Sequence, residues 1–163
     1  MKTIHLRNFL FPVLLLMILV TACKEEIDLA AEQQKLLATD EYYSDLAESK
    51  GRNAAFIEMF DKTGVILKND HMPYEGMDSI KALLLCEMDT SYIMSWQPMK
   101  AVVSKAGDMG YTYGTYLLRM KRNGIRFEEG TYATIWINTG KKGWKAILDT
   151  GNEGLAEPVV VGE

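Results

Sequence analysis

An acidic residue, Asp40, lies among apolar residues at helical spacing. It follows Leu36 by four positions and precedes Tyr43 by three, so these side chains share one face of a helix that also carries Ala47. A carboxyl group on such a face must be hydrogen-bonded, paired or protonated. Asp40 and Tyr43 could therefore form an acid and phenol pair that moves protons in a pocket. The alternative, which we favour, is a structural Asp40 that accepts hydrogen bonds from the backbone or from a tyrosine hydroxyl.

His71 is the third residue suited to acid and base chemistry. The only other histidine, His5, lies in a segment that we expect to be removed, so any mechanism that needs an imidazole depends on His71. Its surroundings, Asn69 to Gly76, are polar and contain Pro73, which is more typical of a solvated loop. The chain has no Gly-x-Ser-x-Gly motif for a serine nucleophile, and it lacks the His and Cys ligands of a usual zinc site. We expect no metal and no cofactor.

Aromatic residues are concentrated in the second half of the chain. Within 131–138, both alternating sets of side chains are largely apolar, so we expect both faces of that strand to be covered. Helices can cover only one face, and we expect the other to meet a second copy of the chain in a homodimer. The alternative is that some of these aromatic residues are simply exposed. Four aromatic residues and one carboxylate are the candidates for lining a pocket: Trp96, Tyr113, Tyr132, Trp136 and Asp149. Asp149 could instead cap a turn.

The amino terminus has the organisation of a secretory signal. Lys2 and Arg7 precede an apolar run, Phe9 to Val20, whose twelve residues are fewer than the ~20 that span a bilayer. The run leads into Leu19-Val20-Thr21-Ala22-Cys23, which resembles the lipobox of bacterial lipoproteins. In a lipobox, the cysteine receives a diacylglyceryl group and cleavage falls directly before it. The alternative is an ordinary signal peptide with a chance cysteine.

We therefore expect residues 1–22 to be a cleaved signal peptide and residues 23–28 to be a tether anchored to the bilayer through acyl chains, such as palmitate, on Cys23. Lys24-Glu25-Glu26 resembles the signal that sends some lipoproteins to the cell surface. We expect the protein in the outer membrane, with the leaflet left open.

Three helices are predicted next. The first runs from Leu29 to Ala47 and ends at Gly51. The second ends at Gly64, and its apolar stripe is Ala55, Phe56, Met59 and Phe60. Val65-Ile66-Leu67 is predicted as a short strand. The third helix is capped by Asp78 or Ser79, and its apolar positions are Ile80, Leu83, Leu84 and Met88.

The second half is predicted to be an antiparallel meander of four strands. They are Ile93–Ser104, Met109–Lys121, Ile125–Asn138 and Trp144–Thr150. Turn residues separate them, and Asn123-Gly124 is the strongest hairpin signal. Gly110 and Gly114 indicate a bend or bulge. Helices followed by strands predict the α+β class, with three N-terminal helices packed on a curved antiparallel sheet and a loose tail over 153–163.

Composition narrows the function further. The chain has 163 residues and a formal charge of −4, and because Lys2 and Arg7 belong to the predicted signal, the remainder carries about −6. Lys and Arg are not concentrated anywhere, which argues against nucleic-acid binding. Cys86 has no partner if Cys23 is acylated, and its three preceding leucines predict a buried thiol.

Several strings in this order resemble the nuclear transport factor 2-like superfamily. They are Phe56-x-x-x-Phe60, Pro73-x-x-Gly76-x-x-x-Ile80, Trp96-x-Pro98, Gly107-Asp108-Met109-Gly110-Tyr111-Thr112-Tyr113-Gly114, Trp136, Trp144-Lys145 and Asp149-Thr150-Gly151-Asn152. The resemblance covers residues 29–152 and is greatest to uncharacterised, SnoaL-like bacterial members. It implies a cone-shaped, cystatin-like α+β roll in which a long helix plugs the curved sheet.

The same superfamily contains ketosteroid isomerases, dehydratases, carriers and assembly modules, so the fold alone does not give a function. The resemblance makes an isomerase-like role for Asp40 and Tyr43, or a dehydratase-like dyad with His71, conceivable, although no role carries over by position. We expect a membrane-anchored domain that binds a small, largely apolar ligand. The alternatives are a proton-transferring isomerase or lyase, and a protein-interaction module whose pocket is filled by its own side chains.

Overall fold

The computed structural model describes residues 27–87 and 91–156. The predicted signal peptide, Cys23, Met88 and residues 157–163 lie outside these ranges. Among the described helices, none has both the length and the hydropathy that crossing a bilayer requires. The described part combines helices with one six-stranded sheet, which confirms the predicted α+β class.

The first helix, α1, spans Leu29–Lys50 and is about 33 Å long. Asp28 caps its start, because the carboxylate of Asp28 accepts a hydrogen bond from the backbone N–H of Ala31 at 3.0 Å. Gly51 ends it with a positive φ of 93°. The buried face of α1 is the one that the sequence predicted, with Leu36, Asp40, Tyr43 and Ala47 all turned inward.

Two shorter helices follow: α2 spans Arg52–Met59 and α3 spans Gly76–Cys86. The prediction that α2 includes Phe60 is wrong, because Phe60 has extended backbone (φ −74°, ψ 142°) and pairs with Ala146 in the sheet. The prediction of a buried Cys86 is also wrong. Its side chain is exposed, since α3 buries the face of Ile80, Leu83 and Leu84.

The sheet has the spatial order β2-β1-β6-β5-β4-β3. The strands are β1 Phe60–Leu67, β2 Tyr74–Glu75, β3 Tyr92–Val103, β4 Met109–Met120, β5 Arg126–Asn138 and β6 Trp144–Glu153. The antiparallel meander from β3 to β6 is as predicted. The amino-terminal part of the sheet differs from the prediction, because β1 runs through Gly64 and pairs in parallel with β6, while β2 forms within the predicted loop.

Bulges bend the sheet around α1. The register of β3 against β4 shifts between Pro98 and Lys100, opposite Gly114. A Cβ at Gly114 would lie 2.0 Å from the carbonyl oxygen of Gln97, so only glycine permits this close approach. The predicted bend at Gly114 is thus confirmed. A second shift occurs in β6 opposite Ile135 and Trp136. Because a bulge bends its strand and increases the local twist, the sheet is curved.

The concave face of this sheet holds the core and the convex face is more exposed. Tyr132, Thr134 and Trp136 of β5 point inward and are buried, and the indole of Trp136 is fully so. On the outer face, successive cross-strand partners form an apolar row that is half-buried or exposed: Val65, Leu148, Ile135, Tyr111 and Val102. The homodimer remains a prediction, and this row is the surface on which it would depend.

Candidate functional site

Asp40 is sealed inside the domain and accepts hydrogen bonds from two aromatic side chains. Its Oδ1 accepts from Trp96 Nε1 at 2.7 Å, and its Oδ2 accepts from the hydroxyl of Tyr132 at 2.7 Å. A third hydrogen bond comes from the Thr112 hydroxyl, whose oxygen in turn accepts from Trp136 Nε1 at 2.8 Å. Asp40 therefore ties α1 to β3, β4 and β5, which is the structural role that we favoured.

The ionisation of Asp40 reflects two opposing effects. Burial removes the carboxylate from water and raises its pKa, and this is the larger effect. The hydrogen bonds from Tyr132, Thr112 and Trp96 favour the charged form and oppose the rise, while the nearby charge of Glu41 adds to it. The pKa of Asp40 lies above its ordinary value. The pKa of Tyr132 is likewise raised, first by burial and then by the charge of Asp40.

The other two residues predicted for acid and base chemistry are elsewhere. The Tyr43 hydroxyl accepts a hydrogen bond from Lys145 Nζ at 2.9 Å and lies 3.5 Å from the carbonyl oxygen of Glu58, so it does not reach Asp40. His71 is exposed, and its Nδ1 lies 2.8 Å from the carbonyl oxygen of Asn69. The structure does not bring Asp40, Tyr43 and His71 together.

A cavity of about 440 Å³, here called the inner pocket, opens at the end of the domain where α2 begins and α3 ends. Its walls come from α2, α3 and strands β1, β3, β4, β5 and β6. Most of the lining is apolar or aromatic: Phe56, Ile66, Leu67, Leu83, Leu84, Tyr92, Met94, Tyr116, Leu118, Phe127 and Tyr132. Such a lining with few polar groups is typical of small-molecule sites.

A single carboxyl group, Asp149, lies at the inner end of this pocket. A narrow recess of about 20 Å³ adjoins the inner pocket, because Asp149 and Tyr132 line both cavities. Thr134 and Trp96 also line this recess. Thr134 donates a hydrogen bond to Asp149 Oδ2 at 2.6 Å, because the two residues are direct partners across β5 and β6. Part of the Asp149 surface remains accessible from the cavity.

The surroundings of Asp149 favour its protonated form. Burial raises the pKa of Asp149 to about 6, the hydrogen bond from Thr134 opposes the rise, and the charge of Asp40 adds to it. Near pH 6 the protonated and the charged forms of this group are therefore both populated. Within the described residues, Asp149 is the carboxyl group of the inner pocket that combines partial burial with such a pKa.

The mouth of the inner pocket carries charges of both signs. Glu87 forms ion pairs with Arg52, at 3.1 Å between Nη1 and Oε2, and with Lys68. On the opposite side, Glu128 accepts a hydrogen bond from the Tyr116 hydroxyl at 2.9 Å, and Glu153 also lines the mouth. Because the cations are paired with Glu87, the mouth does not present a strongly positive surface that would select an anion.

Three of the five residues predicted to line a pocket do so. Trp96, Tyr132 and Asp149 meet at the recess. Tyr113 is on the outer face and is 40% exposed, because strand alternation turns it away from the buried Thr112 and Gly114 on either side. Trp136 points inward but is fully enclosed in the core, where it donates to Thr112. These two assignments are therefore corrected.

Thr134 and Tyr116 are among the pocket residues that the sequence prediction missed. Thr134 is two positions after Tyr132, so strand alternation predicts that both side chains point to the inner face of β5. Its pairing with Asp149 depends on the register between β5 and β6, which the sequence does not show. Tyr116 gave no separate signal, because it lies in a continuous run of apolar and aromatic residues.

Over residues 27–87 and 91–156, no group of three or more His, Cys, Asp or Glu side chains has the arrangement to hold a metal ion. The expectation that the protein needs no metal or cofactor remains a prediction.

No protein-family model matches the sequence. No curated protein matches it significantly. Any relationship therefore rests on three-dimensional similarity.

Solved structures do resemble the domain. It is similar to a nuclear transport factor 2-like protein with a cystatin-like fold from Novosphingobium aromaticivorans, with 16% identity, TM-score 0.59, and coverage of 92% of this chain and 90% of that one. It is also similar to a ketosteroid isomerase-like protein from Erwinia carotovora atroseptica, with 12% identity, TM-score 0.56, and coverage of 80% and 97%. A third similar structure is a protein from Catenulispora acidiphila in complex with S-DNPA, with 8% identity, TM-score 0.57, and coverage of 74% and 91%. The chain therefore has the cystatin-like, nuclear transport factor 2-like fold that its sequence resemblance implied.

Proposed function

We propose that this protein binds a small, largely apolar molecule in the inner pocket, with Asp149 as the polar contact at the inner end. The observation that carries the proposal is a cavity of about 440 Å³ that is lined mainly by apolar side chains and contains the half-buried carboxyl group of Asp149. A site of this kind gains affinity from apolar burial and orientation from its few polar groups.

The chemistry of Asp149 specifies the polar end of the ligand. With a pKa of about 6, the carboxyl group can donate a hydrogen bond when protonated and accept one when charged. A neutral oxygen-containing group, such as a carbonyl or a hydroxyl, suits both forms. An anionic group would face the Asp149 charge and the nearby Asp40, so we expect neutral ligands to bind better than carboxylates.

A proton-transferring enzyme is the second candidate, and the pKa of Asp149 favours it. A general acid or base works best when its pKa is near the working pH. The comparison structure described as ketosteroid isomerase-like is in keeping with such chemistry. The nearest hydroxyl that could assist, Tyr132, already donates to Asp40 at 2.7 Å. Because the Tyr132 hydroxyl is bonded to Asp40, Asp149 would have to transfer a proton without help from Tyr132. We therefore favour ligand binding over catalysis.

A domain whose pocket is filled by its own side chains is the least favoured of the three functions. A filled pocket would leave no cavity that a ligand could enter, whereas the inner pocket has about 440 Å³ and is open to solvent at its mouth. The Catenulispora acidiphila protein, which has a similar fold, was solved in complex with S-DNPA.

We also propose that the domain is held at a bilayer through Cys23. The basis is the resemblance of Leu19–Cys23 to a lipobox. Ile27 packs against Gly107 in the turn between β3 and β4, at the opposite end of α1 from Arg52 and the pocket mouth. The described residue nearest the anchor therefore lies at the far end of α1 from the mouth of the inner pocket, so a bilayer at that end would leave the mouth accessible from the aqueous side.

Titration with Nile red, a neutral apolar dye, tests the binding proposal. Met94 lines the inner pocket and the recess, so Met94→Trp should fill part of the cavity and weaken binding at least tenfold. Met99→Trp is the matched control, because Met99 is in the same strand but is 68% exposed at the bulge. Equal dye binding by wild type, Met94→Trp and Met99→Trp would show that the inner pocket is not the site.

A further inference from the structure

The start of α1 and two turns of the sheet lie together at one end of the domain, here called the tether end. The turn 104–108 joins β3 to β4, and the turn 139–143 joins β5 to β6. The two turns are adjacent, because the side-chain amide of Asn138 donates a hydrogen bond to the carbonyl oxygen of Gly107 at 3.1 Å. The side chain of Ile27, which comes just before α1, packs against Gly107. The first described residue therefore lies on the same surface as both turns.

Four exposed lysines from three separate segments belong to the tether end. Two are in the turn 139–143, one is in the turn 104–108 and one is near the start of β1. The start of β1 is close to the turn 139–143, because the pKa of Asp61 is lowered first by local hydrogen bonds and then by the charges of Lys62 and Lys142. Among the described residues, none of the four lysines has an ion-pair partner. They are Lys62, Lys105, Lys141 and Lys142.

The carboxylates of the tether end are already engaged. Asp28, Asp61 and Asp108 each accept a hydrogen bond from a residue two to four positions away, at 2.6–3.0 Å. Glu32 is paired with Lys35 at 2.6 Å. Four unpaired lysines against three aspartates leave this surface with one excess positive charge. The lysines are therefore the groups that can contact a partner, and the partner that fits them is anionic.

The opposite end of the domain, at the mouth of the inner pocket, has the reverse charge balance. Its cations, Arg52 and Lys68, are both paired with Glu87. Glu128 and Glu153 line the same mouth and have no ion-pair partner within the described ranges. Helix α1, about 33 Å long, runs from the tether end toward this mouth. The two ends of α1 therefore lie at surfaces of opposite net charge.

The tether end is within reach of any bilayer that holds Cys23. Three residues separate Ile27 from Cys23, and this length of chain spans at most about 14 Å. A negative membrane surface attracts lysines within about one Debye length, which is ~8 Å at physiological ionic strength. Each lysine in that zone strengthens the association about fivefold.

We propose that the four lysines of the tether end bind the phosphate groups of anionic phospholipids and orient the domain so that the inner pocket opens away from the bilayer. This inference rests on the proposed lipid anchor at Cys23. Each lysine ammonium group has three N–H donors for phosphate oxygens. The negative mouth is repelled by the same lipid surface, so attraction at one end and repulsion at the other favour the same orientation.

Quenching of a fluorescent label at the tether end tests the contact with lipid. The acylated full chain carries the label at Ala106→Cys, an exposed position in the turn 104–108, and Cys86→Ser removes the native exposed thiol. The labelled chain is inserted into vesicles whose headgroups carry a nitroxide quencher. Quenching should be about twofold stronger when the phosphatidylcholine vesicles also contain phosphatidylglycerol. About 1 M salt, which shortens the Debye length to ~3 Å, should remove this gain.

Two variants with the same change in net charge separate the lysines of the tether end from the overall charge. The first should lose the gain on phosphatidylglycerol, and it combines Lys105→Gln, Lys141→Gln and Lys142→Gln. The control replaces three exposed lysines elsewhere and should keep the gain, and it combines Lys50→Gln, Lys81→Gln and Lys121→Gln. Both variants should bind Nile red as the wild type does, since none of these lysines lines the inner pocket.

The outcomes separate this contact from the proposed anchor. An equal gain for wild type and the tether-end variant overturns the lysine contact and leaves the anchor standing. An equal loss in both variants would assign the effect to overall charge and would also overturn the contact. If the unsubstituted chain floats with neither kind of vesicle, the anchor at Cys23 is overturned, and this inference with it. If the tether-end variant does not melt cooperatively, Lys141→Gln combined with Lys142→Gln takes its place.

Discussion

Replacing Asp149 by asparagine should make the protein more stable at neutral pH, which is the reverse of what most substitutions of buried residues do. The folded protein holds this carboxyl group at a pKa of about 6, against an ordinary value of 3.8. The difference corresponds to about 3 kcal/mol of unfavourable free energy for the charged form. Cavity water reaches part of the group, so we expect about 2–3 kcal/mol in the measured free energy of unfolding.

The sign follows from proton binding in the two states. Below pH 3.8 the Asp149 carboxyl is protonated in the folded and the unfolded chain, and it contributes no pH dependence. Between 3.8 and about 6 the folded chain binds more protons at this site, so stability falls as the pH rises. Above about pH 6 the Asp149 carboxylate is charged in the folded chain as well, and the loss of stability that it causes no longer changes with pH. Asparagine has no such titration and can still accept the hydrogen bond from Thr134.

Urea unfolding of wild type and Asp149→Asn across this range measures the effect. The variant should exceed the wild type by about 2–3 kcal/mol near pH 8, and the difference should shrink to below about 0.5 kcal/mol near pH 4. Asp78→Asn is the control, because Asp78 is exposed on α3 and loses the same formal charge. A difference between Asp149→Asn and wild type that is constant with pH would refute the assignment of a raised pKa to Asp149. Asp40 is present in both proteins, and only its interaction with the Asp149 charge differs between them.

Three further predictions follow from the rest of the chain. Asp40→Asn should lower the free energy of unfolding by about 1–3 kcal/mol, because Trp96 and Tyr132 donate to different oxygens of Asp40 and asparagine keeps only one of them. Unchanged stability in a urea melt would argue against the structural role. A fragment beginning near Asp28 should sediment as a homodimer at micromolar concentration, and Ile135→Asp on the outer face should make it monomeric. A wild-type monomer of about 15 kDa would show that the outer apolar row is merely exposed. Metabolic labelling with an alkyne fatty acid should mark the wild type and not Cys23→Ala, and equal labelling of both would contradict the lipid anchor.

The elements that could be predicted are those whose signals are local. The buried face of α1 and its end at Gly51 follow from helical spacing and from the conformational freedom of glycine. The meander from β3 to β6 follows from alternation and from turn residues such as Asn123-Gly124. The parallel pairing of β1 with β6 joins segments about 80 residues apart, so nothing near Phe60 in the sequence indicates that it belongs to a strand.

The candidate site could be predicted only in part, because its contacts also join residues that are far apart in the sequence. The helical position of Asp40 shows that it points inward and needs a partner, but its partners Trp96 and Tyr132 lie 56 and 92 positions away. Local sequence placed Tyr43 beside it, whereas the fold directs the Tyr43 hydroxyl to Lys145 and Glu58. The carboxyl group that lines the inner pocket is instead Asp149, which the sequence left undecided between a pocket and a turn.

The fully buried Asp40 and the half-buried Asp149 differ in how their hydrogen-bonding capacity is used, and this difference bears on their roles. A carboxylate can accept about four hydrogen bonds. Asp40 is fully buried and accepts hydrogen bonds from Trp96, Tyr132 and Thr112. It therefore has little capacity left to accept hydrogen bonds from a ligand. No cavity described above reaches it. Asp149 accepts from Thr134 and keeps an accessible surface toward the inner pocket. Asp40 also holds the Trp96 and Tyr132 rings that form the recess beside Asp149. The buried acid of α1 therefore shapes the pocket, and the acid of β6 is the one left free to meet what enters it.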